Sequence, residues 1–236
     1  MTNLKTLHFY ATPEHDCSYL EGFEAKTLFV DPQEIITTDA YSQLSDLGFR
    51  RSGKHIYRPY CANCQACISV RVDIGNFAAS KSQKRIINKN RDLKVVTVPA
   101  QFTDEYYDLY AKYINTRHSD GDMFPPTPDQ FSAFLIDGGQ KGCFFEFRDP
   151  DNKLVALAVT DFLNQGLSAI YTFFDPDETQ RSLGTFAILW QIKETKRQDL
   201  DYLYLGYWIR ECQKMAYKVA YHPLEMLLHG QWIPVD

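Results

Sequence analysis

The pattern in residues 142–208 constrains the fold of this chain more than any other feature. Three segments with strand character, GCFFEFRD, KLVALAVTDFL and LSAIYTFFDPD, are joined by the compact turn sequences DPDNK and NQG. Such spacing predicts an antiparallel meander. The segment RSLGTFAILWQIKETKRQ then has the periodicity of a long amphipathic helix, and the strand-like YLYLGYWI follows it. Together these elements predict an α+β fold.

This order of strands and helix is that of an acyltransferase core of the GNAT type. In such a core, backbone N–H groups at the helix N-terminus point at an anionic group of the acyl carrier, and the acyl group lies where two strands diverge. Arg181 and Gly184 match the first two marks of the GNAT signature for acyl-CoA. Phe186 stands where a small residue would allow close approach of the backbone. We therefore predict a GNAT-like core whose carrier is not CoA, with an ordinary α+β domain as the alternative.

The first part of the chain predicts a smaller α+β domain. Residues 37–48 and 80–91 are typical of short helices, FRRSG and HIYRPY of a hairpin, and CISVRVDI and LKVVTV of strands. In the second part, residues 103–118 and the segment TPDQFSAFLI predict two more helices. A boundary near Pro99 follows, which divides the chain into an N-terminal domain, residues 1–99, and a GNAT-like domain, residues 100–236.

Residues 50–94 are strongly basic, although the whole chain has a formal net charge of −5. They contain eleven Lys or Arg and two acids, so this segment carries +9 and the remainder −14. Such asymmetry predicts a polyanionic partner, and a basic, solvated surface is the alternative. Four cationic side chains fall on one face of the predicted helix 80–91. They are Lys81, Lys84, Arg85 and Lys89.

The sequence contains no segment that indicates export or membrane insertion. The N-terminal stretch MTNLKTLHFYATPEHD lacks the apolar core of a secretory signal, and there is no apolar run of about 18 residues. We therefore expect a cytoplasmic protein with no membrane partner. In that compartment the six cysteines are expected to be free thiols or metal ligands rather than disulfides.

Three cysteines follow one another at a regular spacing in YCANCQACISVRV. Cys61, Cys64 and Cys67 are each separated by two residues and lead directly into a predicted strand. The chain lacks the two paired C-x-x-C motifs of a zinc ribbon. From spacing alone, a metal site, a redox site and small apolar side chains all remain open.

Several long motifs resemble one enzyme family. RRSGKHIYRPYCANCQACISVRV, RHSDGDM, LSAIYTFFDPD, RSLGTFAILWQI, YLYLGYWI and KMAYK are similar to segments of the bacterial aspartate/glutamate leucyltransferases, relatives of the eukaryotic arginyl-tRNA–protein transferases. The resemblance extends from about Cys17 to about Trp232. It implies transfer of leucine from leucyl-tRNA to the N-terminal α-amine of proteins that begin with Asp or Glu, which creates an N-degron for protein degradation. It also implies a GNAT-like fold with a smaller N-terminal domain, and no CoA.

Three other functions stay open. The transferred residue could be arginine, the enzyme could be a CoA-dependent N-acetyltransferase, or the chain could be a metal-stabilised binding module without catalytic activity.

The resemblance adds Cys17 as a fourth candidate ligand beside Cys61, Cys64 and Cys67. Eukaryotic relatives bind a metal or an iron–sulfur cluster through N-terminal cysteines, but they have a second cysteine where this chain has Leu20. The four thiolates could hold zinc or an iron–sulfur cluster. They could equally be buried or redox-sensitive thiols that bind no metal.

The implied reaction needs few catalytic groups, because an aminoacyl ester is already activated. The enzyme must position the ester, accept a proton from an α-ammonium whose pKa is near ~8 and stabilise the oxyanion. In RHSDGDM, Asp120 or Asp122 would hold the ammonium or accept its proton, beside Arg117 and His118. Tyr207 would act as the general acid for the leaving hydroxyl. For RHSDGDM, the alternative is a helix C-terminus at which Arg117 and His118 face the helix dipole and an Asx turn follows. For Tyr207, the alternative is an ordinary side chain of the aromatic core.

The remaining candidates would bind substrate. The acidic side chain of the acceptor needs a cation, for which arginine is well suited, and Arg50, Arg51, Arg58 and Arg71 surround the cysteines. The basic face of the helix 80–91 would contact tRNA phosphates. Further substrate-binding candidates border the expected acyl site. They are Tyr171, Arg181, Gly184, Thr185 and Tyr204.

Overall fold

The protein is described by a computed structural model that covers residues 4–138 and 142–235. Short strands and one helix form the N-terminal part. These elements are β1 (Phe9–Ala11), β2 (His15–Asp16), β3 (Glu24–Ala25), β4 (Thr27–Val30), α1 (Thr38–Asp46), β5 (Arg50–Ser52) and β6 (His55–Pro59).

Longer elements follow. They are β7 (Ile68–Asp73), α2 (Lys81–Lys89), β8 (Lys94–Pro99), α3 (Asp104–Arg117), α4 (Pro128–Leu135), β9 (Gly142–Arg148), β10 (Leu154–Leu163), β11 (Gly166–Phe174), α5 (Leu183–Arg197), β12 (Tyr202–Trp208), α6 (Gln213–Ala216), β13 (Leu224–Leu228) and β14 (Gln231–Val235). A short 3-10 helix, Tyr217–Ala220, follows α6. The elements that the sequence patterns predict are therefore confirmed, with ends that differ by a few residues.

Side chains that precede the helices explain where the helices begin. Thr37 and Thr103 accept hydrogen bonds from the first turns of α1 and α3, which satisfies N–H groups that have no partner within the helix. Ser80 and Gln83 form a reciprocal capping box at the start of α2. The ends of these helices are thus determined locally, and this is why their positions can be predicted from sequence.

The central structure is an eight-stranded sheet with the order β14-β13-β7-β12-β11-β10-β9-β8. Strands β9, β10 and β11 form the predicted antiparallel meander. Helix α5 then connects β11 to β12, and these two strands are parallel. This is the predicted GNAT-like arrangement within an α+β fold.

The division at Pro99 stays a prediction, and the large sheet crosses it. Strand β7 lies between β12 and β13, and β8 forms the edge beside β9. Two strands of the first part therefore complete the sheet of the second part. The hairpin β5/β6 belongs to a separate four-stranded sheet of order β1-β4-β6-β5.

Helices cover both faces of the large sheet. Phe145 and Phe147 pack in the cluster that contains α5, whereas Phe144 packs in the cluster that contains α3 and α4. Since neighbouring side chains of a strand point to opposite faces, β9 contributes to both cores. The central strands of the sheet are consequently buried between two helical layers, whereas the edge strands β8 and β14 remain partly exposed.

Candidate active site

Strands β11 and β12 separate part-way along their length. Their parallel pairing ends at Ser168 and Tyr204, although both strands continue. The buried guanidinium of Arg50 occupies this position, with Nη1 donating to Ser168 Oγ at 2.8 Å and Nη2 donating to Ala169 O at 2.5 Å. Arg50 thus satisfies a carbonyl that would otherwise lose its partner where the strands diverge.

A cavity of about 750 Å³ lies at this divergence. Residues of β11, β12 and the first turn of α5 line it, together with parts of the N-terminal segment and the chain after β12. Among the described residues, Asp122 is the one acidic side chain in the lining. The candidates from the sequence that line the cavity are Asp122, His118, Tyr171, Gly184, Thr185, Tyr207, Cys17, Cys61 and Cys67.

The N-terminus of α5 forms one wall of the cavity. Gly184 and Thr185 line it, and the N-cap residue Ser182 makes no capping hydrogen bond through its side chain. The N–H groups of a first helical turn have no acceptor within the helix, so this end attracts anionic or carbonyl oxygens. Phe186 is 7% exposed and packs against Phe147, with 5.7 Å between the ring centroids. Its side chain therefore enters the core, and the sequence argument against CoA from its size does not hold.

The RHSDGDM segment reaches the cavity through His118 and Asp122. Nε2 of His118 lies 3.2 Å from the Tyr113 hydroxyl, and burial lowers the pKa of His118. Asp120 is exposed and forms an ion pair of 3.2 Å with Lys214, which lowers the pKa of Asp120. Of the two aspartates, Asp122 is the one that borders the cavity.

Two of the four predicted substrate-reading arginines are already paired with carboxylates of this chain. Arg51 is buried against Asp161, with Nε 2.6 Å from Oδ2. Arg71 contacts Glu225 at 2.7 Å and Asp46 at 3.2 Å. Such pairing uses the donors that an acidic substrate would need, so neither assignment is supported.

The other two arginines are also engaged inside the protein. Nη1 of Arg58 donates to Leu47 O at 3.3 Å, and its guanidinium carbon lies 5.0 Å from the centre of the Phe49 ring. Arg50 contacts the backbone and hydroxyl of β11, as described above. None of the four arginines lines the cavity in the described structure. The pattern of basic residues gave no information about partners that are distant in the sequence, such as Asp161 for Arg51 and Glu225 for Arg71.

The predicted tyrosine acid is not supported by the geometry either. The Tyr207 hydroxyl is buried and donates to Gly48 O at 2.9 Å, and burial raises its pKa well above the ordinary value. The Tyr204 hydroxyl donates to Asp46 and accepts from Arg71. Both hydroxyls form hydrogen bonds that connect β12 to residues at the end of α1 and just after it, which is a structural role.

Arg117 and Arg181 lie outside the cavity lining. The guanidinium carbon of Arg117 is 5.5 Å from the centre of the Phe174 ring. Arg181 forms ion pairs with Asp92 at 2.9 Å and Glu178 at 3.2 Å, and thereby holds the loop that enters α5.

The predicted cysteines cluster near one side of the cavity. Burial raises the pKa of the Cys67 thiol to about 12, and the neighbouring thiols of Cys17, Cys61, Cys64 and Cys212 add to this effect. All of these cysteines are free thiols. Across residues 4–138 and 142–235, no three or more His, Cys, Asp or Glu side chains are arranged as a metal site. The metal site therefore stays a prediction.

Comparison with known proteins identifies the family of this chain. The family model described as "Arginine-tRNA-protein transferase, N terminus" matches residues 15–85, and the C-terminus model of the same name matches residues 105–228. The aspartate/glutamate leucyltransferase of Marinobacter nauticus is 55% identical over 232 residues, which is 98% of each chain. That of Pseudomonas fluorescens is 52% identical over 236 residues, all of each chain. This chain belongs to the aspartate/glutamate leucyltransferase family.

Among solved structures, that of L-PGS from Bacillus licheniformis is similar with a TM-score of 0.48 and 11% identity. The match covers 62% of this chain and 48% of that chain. A likeness this weak carries no functional conclusion.

The basic face of α2 that the sequence predicts is present in the structure. Lys81, Lys84, Arg85 and Lys89 are all exposed. The Lys89 ammonium donates to Gln180 O at 2.8 Å, on the loop that leads into α5. The predicted tRNA-binding face therefore adjoins the loop before the helix that forms the cavity wall.

Two lining residues of the cavity are not among the candidates predicted from the sequence. Lys218 is 5% exposed and lines the cavity, as does the Cys212 thiol. The KMAYK motif contains Lys218, but a lysine in a short segment of mixed polarity gives no sign that it will be buried.

None of the helices within residues 4–138 and 142–235 combines the length and the hydropathy that a membrane span needs.

Proposed function

We propose that this protein transfers leucine from leucyl-tRNA to the N-terminal α-amine of proteins that begin with Asp or Glu. The observation that carries the proposal is the cavity between β11 and β12 at the N-terminus of α5, in a chain that belongs to the aspartate/glutamate leucyltransferase family. The product would carry an N-terminal leucine, and it would be an N-degron that directs degradation of the protein.

The lining of the cavity supports leucine over arginine as the transferred residue. Apolar side chains line it where the strands diverge, among them Ile170, Phe174, Ile188 and Leu205. Burying the guanidinium of a transferred arginine would be costly without a carboxylate or several hydrogen-bond acceptors in the pocket. In the described lining the single acid is Asp122, which lies on the exposed loop after α3. This composition favours an uncharged, branched side chain.

The chemistry needs one proton acceptor and one site for the oxyanion. The acceptor amine attacks the ester carbonyl carbon, the C–N bond forms, and the bond to the ribose oxygen then breaks. The proton that leaves the amine is delivered to the leaving 2′ or 3′ hydroxyl. We assign its transfer to Asp122, directly or through water, since Asp122 is the acid that borders the cavity. The free N–H groups of Gly184 and Thr185 would stabilise the oxyanion.

The tRNA would approach over α2. Exposed lysines and an arginine on this helix suit phosphate contacts, which position a nucleic acid without specifying its sequence. The adjacent loop and the N-terminus of α5 would then direct the aminoacylated 3′ end into the cavity. The thiols of Cys17, Cys61, Cys64 and Cys67 would supply the ligands of zinc or an iron–sulfur cluster if a metal is bound. None of the steps above requires that group or CoA.

A transfer assay tests the proposal directly. Purified protein is supplied with tRNA charged with labelled leucine or labelled arginine, and with peptides that begin with Asp, Glu, Lys or Ala. Leucine should be transferred to the Asp and Glu peptides alone. Preferred transfer of arginine would identify the other donor, and no transfer at all would overturn the proposal. A thermal shift by acetyl-CoA without transfer would instead support a CoA-dependent enzyme.

A further inference from the structure

Lys218 is buried at the cavity, on the 3-10 helix Tyr217–Ala220. Its side chain is enclosed, because the whole residue is only 5% exposed. The ammonium donates to Tyr207 O and lies 3.0 Å from Met215 Sδ. An ammonium has three donors, and a thioether sulfur is a weak acceptor. The charge of Lys218 is therefore only partly satisfied within the protein.

No carboxylate neutralises this lysine in the described part of the chain. The ion pairs of residues 4–138 and 142–235 do not include Lys218. The buried guanidinium of Arg50 also has only neutral partners, Ser168 Oγ and Ala169 O. Two buried cations without acids thus lie beside one cavity. Burying an unpaired charge is costly, so a site of this kind is stabilised by an anion that enters it.

The other cations of the lining differ in this respect. Lys214 is exposed and pairs with Asp120, and Lys26 remains partly exposed to solvent. Solvent therefore reaches both side chains. Lys218 is consequently the cation of the lining that gains most from an incoming carboxylate.

We propose that Lys218 binds the side-chain carboxylate of the N-terminal Asp or Glu of the acceptor protein. This inference rests on the proposed function and names the residue that would determine its acceptor specificity. The buried guanidinium of Arg50 is a second positive charge near Lys218, although it does not line the cavity. An acceptor that begins with Asn or Gln would leave the ammonium unpaired.

The groups that surround Lys218 determine how its charge depends on pH. Burial and, to a smaller extent, the charge of Arg50 lower the pKa of Lys218, the Cys212 and Cys67 thiols oppose this effect, and the resulting pKa is about 7. The ammonium also donates to the Tyr207 carbonyl and lies 5.7 Å from the centre of the Tyr217 ring. A bound carboxylate would favour the charged form, so binding of an acidic acceptor should weaken as pH rises through about 7 in the free protein.

The experiment compares two peptides that differ only in their first residue, Glu or Gln, in the leucine transfer assay. The α-amine titrates in both peptides, so the ratio of their kcat/KM values isolates the carboxylate. In the wild type this ratio should fall as pH is raised from 6 to 8. Lys218→Met should lower kcat/KM for the Glu peptide by about tenfold to a hundredfold and change the Gln value little. Lys196→Met, at an exposed lysine near the end of α5, is the matched control.

Each outcome has a definite meaning. Equal losses for both peptides in Lys218→Met would overturn the inference, because a structural or proton-transfer role affects both alike. A wild-type ratio that does not change with pH would also overturn it, even if the variant fails to fold. If the wild type transfers leucine to neither peptide, the proposed function itself fails. Preference for Glu that survives Lys218→Met rejects the inference alone.

Discussion

Arg51 and Asp161 form a buried two-point ion pair. Nε of the guanidinium lies 2.6 Å from Oδ2, and Nη2 lies 2.8 Å from Oδ1. The Tyr41 hydroxyl donates to the same carboxylate at 2.9 Å. Since Arg51 lies on β5, Tyr41 on α1 and Asp161 on β10, this contact joins the small sheet and α1 to the meander. Arg51, one of the arginines around the cysteines, thus stabilises the packing of two parts of the molecule against each other.

Asp161→Ala should destabilise the protein by about 3–5 kcal/mol, because it leaves the Arg51 charge buried without a partner. Urea unfolding followed by circular dichroism measures the change. The double variant Arg51→Met/Asp161→Ala should recover part of the loss, since it removes the orphaned charge. Asp151→Ala, at an exposed turn, serves as the control and should unfold like the wild type. An unchanged midpoint in Asp161→Ala would contradict the structural role of the pair.

The basic face of α2 should determine the salt dependence of tRNA binding. Replacing Lys81, Lys84 and Arg85 together with Ala should weaken binding and reduce the slope of log K against log salt by about 0.7–0.9 for each phosphate contact that is lost. Lys89 is left intact, since its ammonium holds Gln180 O. The measurement is binding of leucyl-tRNA by fluorescence anisotropy at several salt concentrations.

The control for this experiment is Lys193→Ala/Lys196→Ala, which removes exposed charge from α5 instead. If both variants change the slope equally, tRNA binding depends on net charge and not on α2. If neither changes it, the tRNA approaches over another surface.

The cysteine cluster makes a distinct prediction about metal content. Protein purified without air should contain zinc or iron if Cys17, Cys61, Cys64 and Cys67 act as ligands, and Cys64→Ser should abolish it. Cys143→Ala is the control, because Cys143 is a buried free thiol of β9 in a hydrophobic core cluster. Elemental analysis of the wild type and both variants decides between the two interpretations. Wild-type protein without zinc or iron would leave only the thiol interpretation.

Local signals made much of this fold predictable. The meander and α5 follow from short-range periodicity, and α1 and α3 begin at threonine caps that are visible in the sequence. The position of β7 between β12 and β13 was not predictable, because its partners lie more than 100 residues away in the chain. The same limit applies to the site. An arginine such as Arg51 is suited to bind an acidic substrate, but here its guanidinium forms an ion pair with Asp161, 110 positions later in the chain.

Protonation of Asp175 at low pH should destabilise the loop that follows β11. Its carboxylate is buried, and burial alone would raise the pKa, but hydrogen bonds from Lys112 at 2.6 Å and Lys153 at 2.7 Å lower it to about 2. In the unfolded chain an aspartate titrates near ~3.9. The stabilisation is therefore complete above about pH 4 and is lost as pH falls towards 2.

Asp175→Asn should accordingly lower the free energy of unfolding at pH 7 and flatten its dependence on pH between about 4 and 2. Urea titrations at pH 7, 4 and 3 would reveal both effects. Asp177→Asn is the comparison, since this exposed carboxylate contacts Lys112 at 2.7 Å and should change stability by well under 1 kcal/mol. If the free energy of unfolding of Asp175→Asn depends on pH as steeply as that of the wild type, other carboxylates cause the acid sensitivity.

The two aspartates of the loop after α3 should differ in their effect on transfer. Asp122 lines the cavity, whereas Asp120 is held by Lys214. If Asp122 accepts the proton of the acceptor amine, Asp122→Asn should lower kcat by about 10²–10⁴. The loss should shrink at high pH, where the amine deprotonates without help. Asp120→Asn keeps the same loop and the same charge change, and should reduce kcat far less. Single-turnover transfer at pH 6.5 and 9 measures both variants, and a larger loss in Asp120→Asn would move the proton acceptor from Asp122 to Asp120.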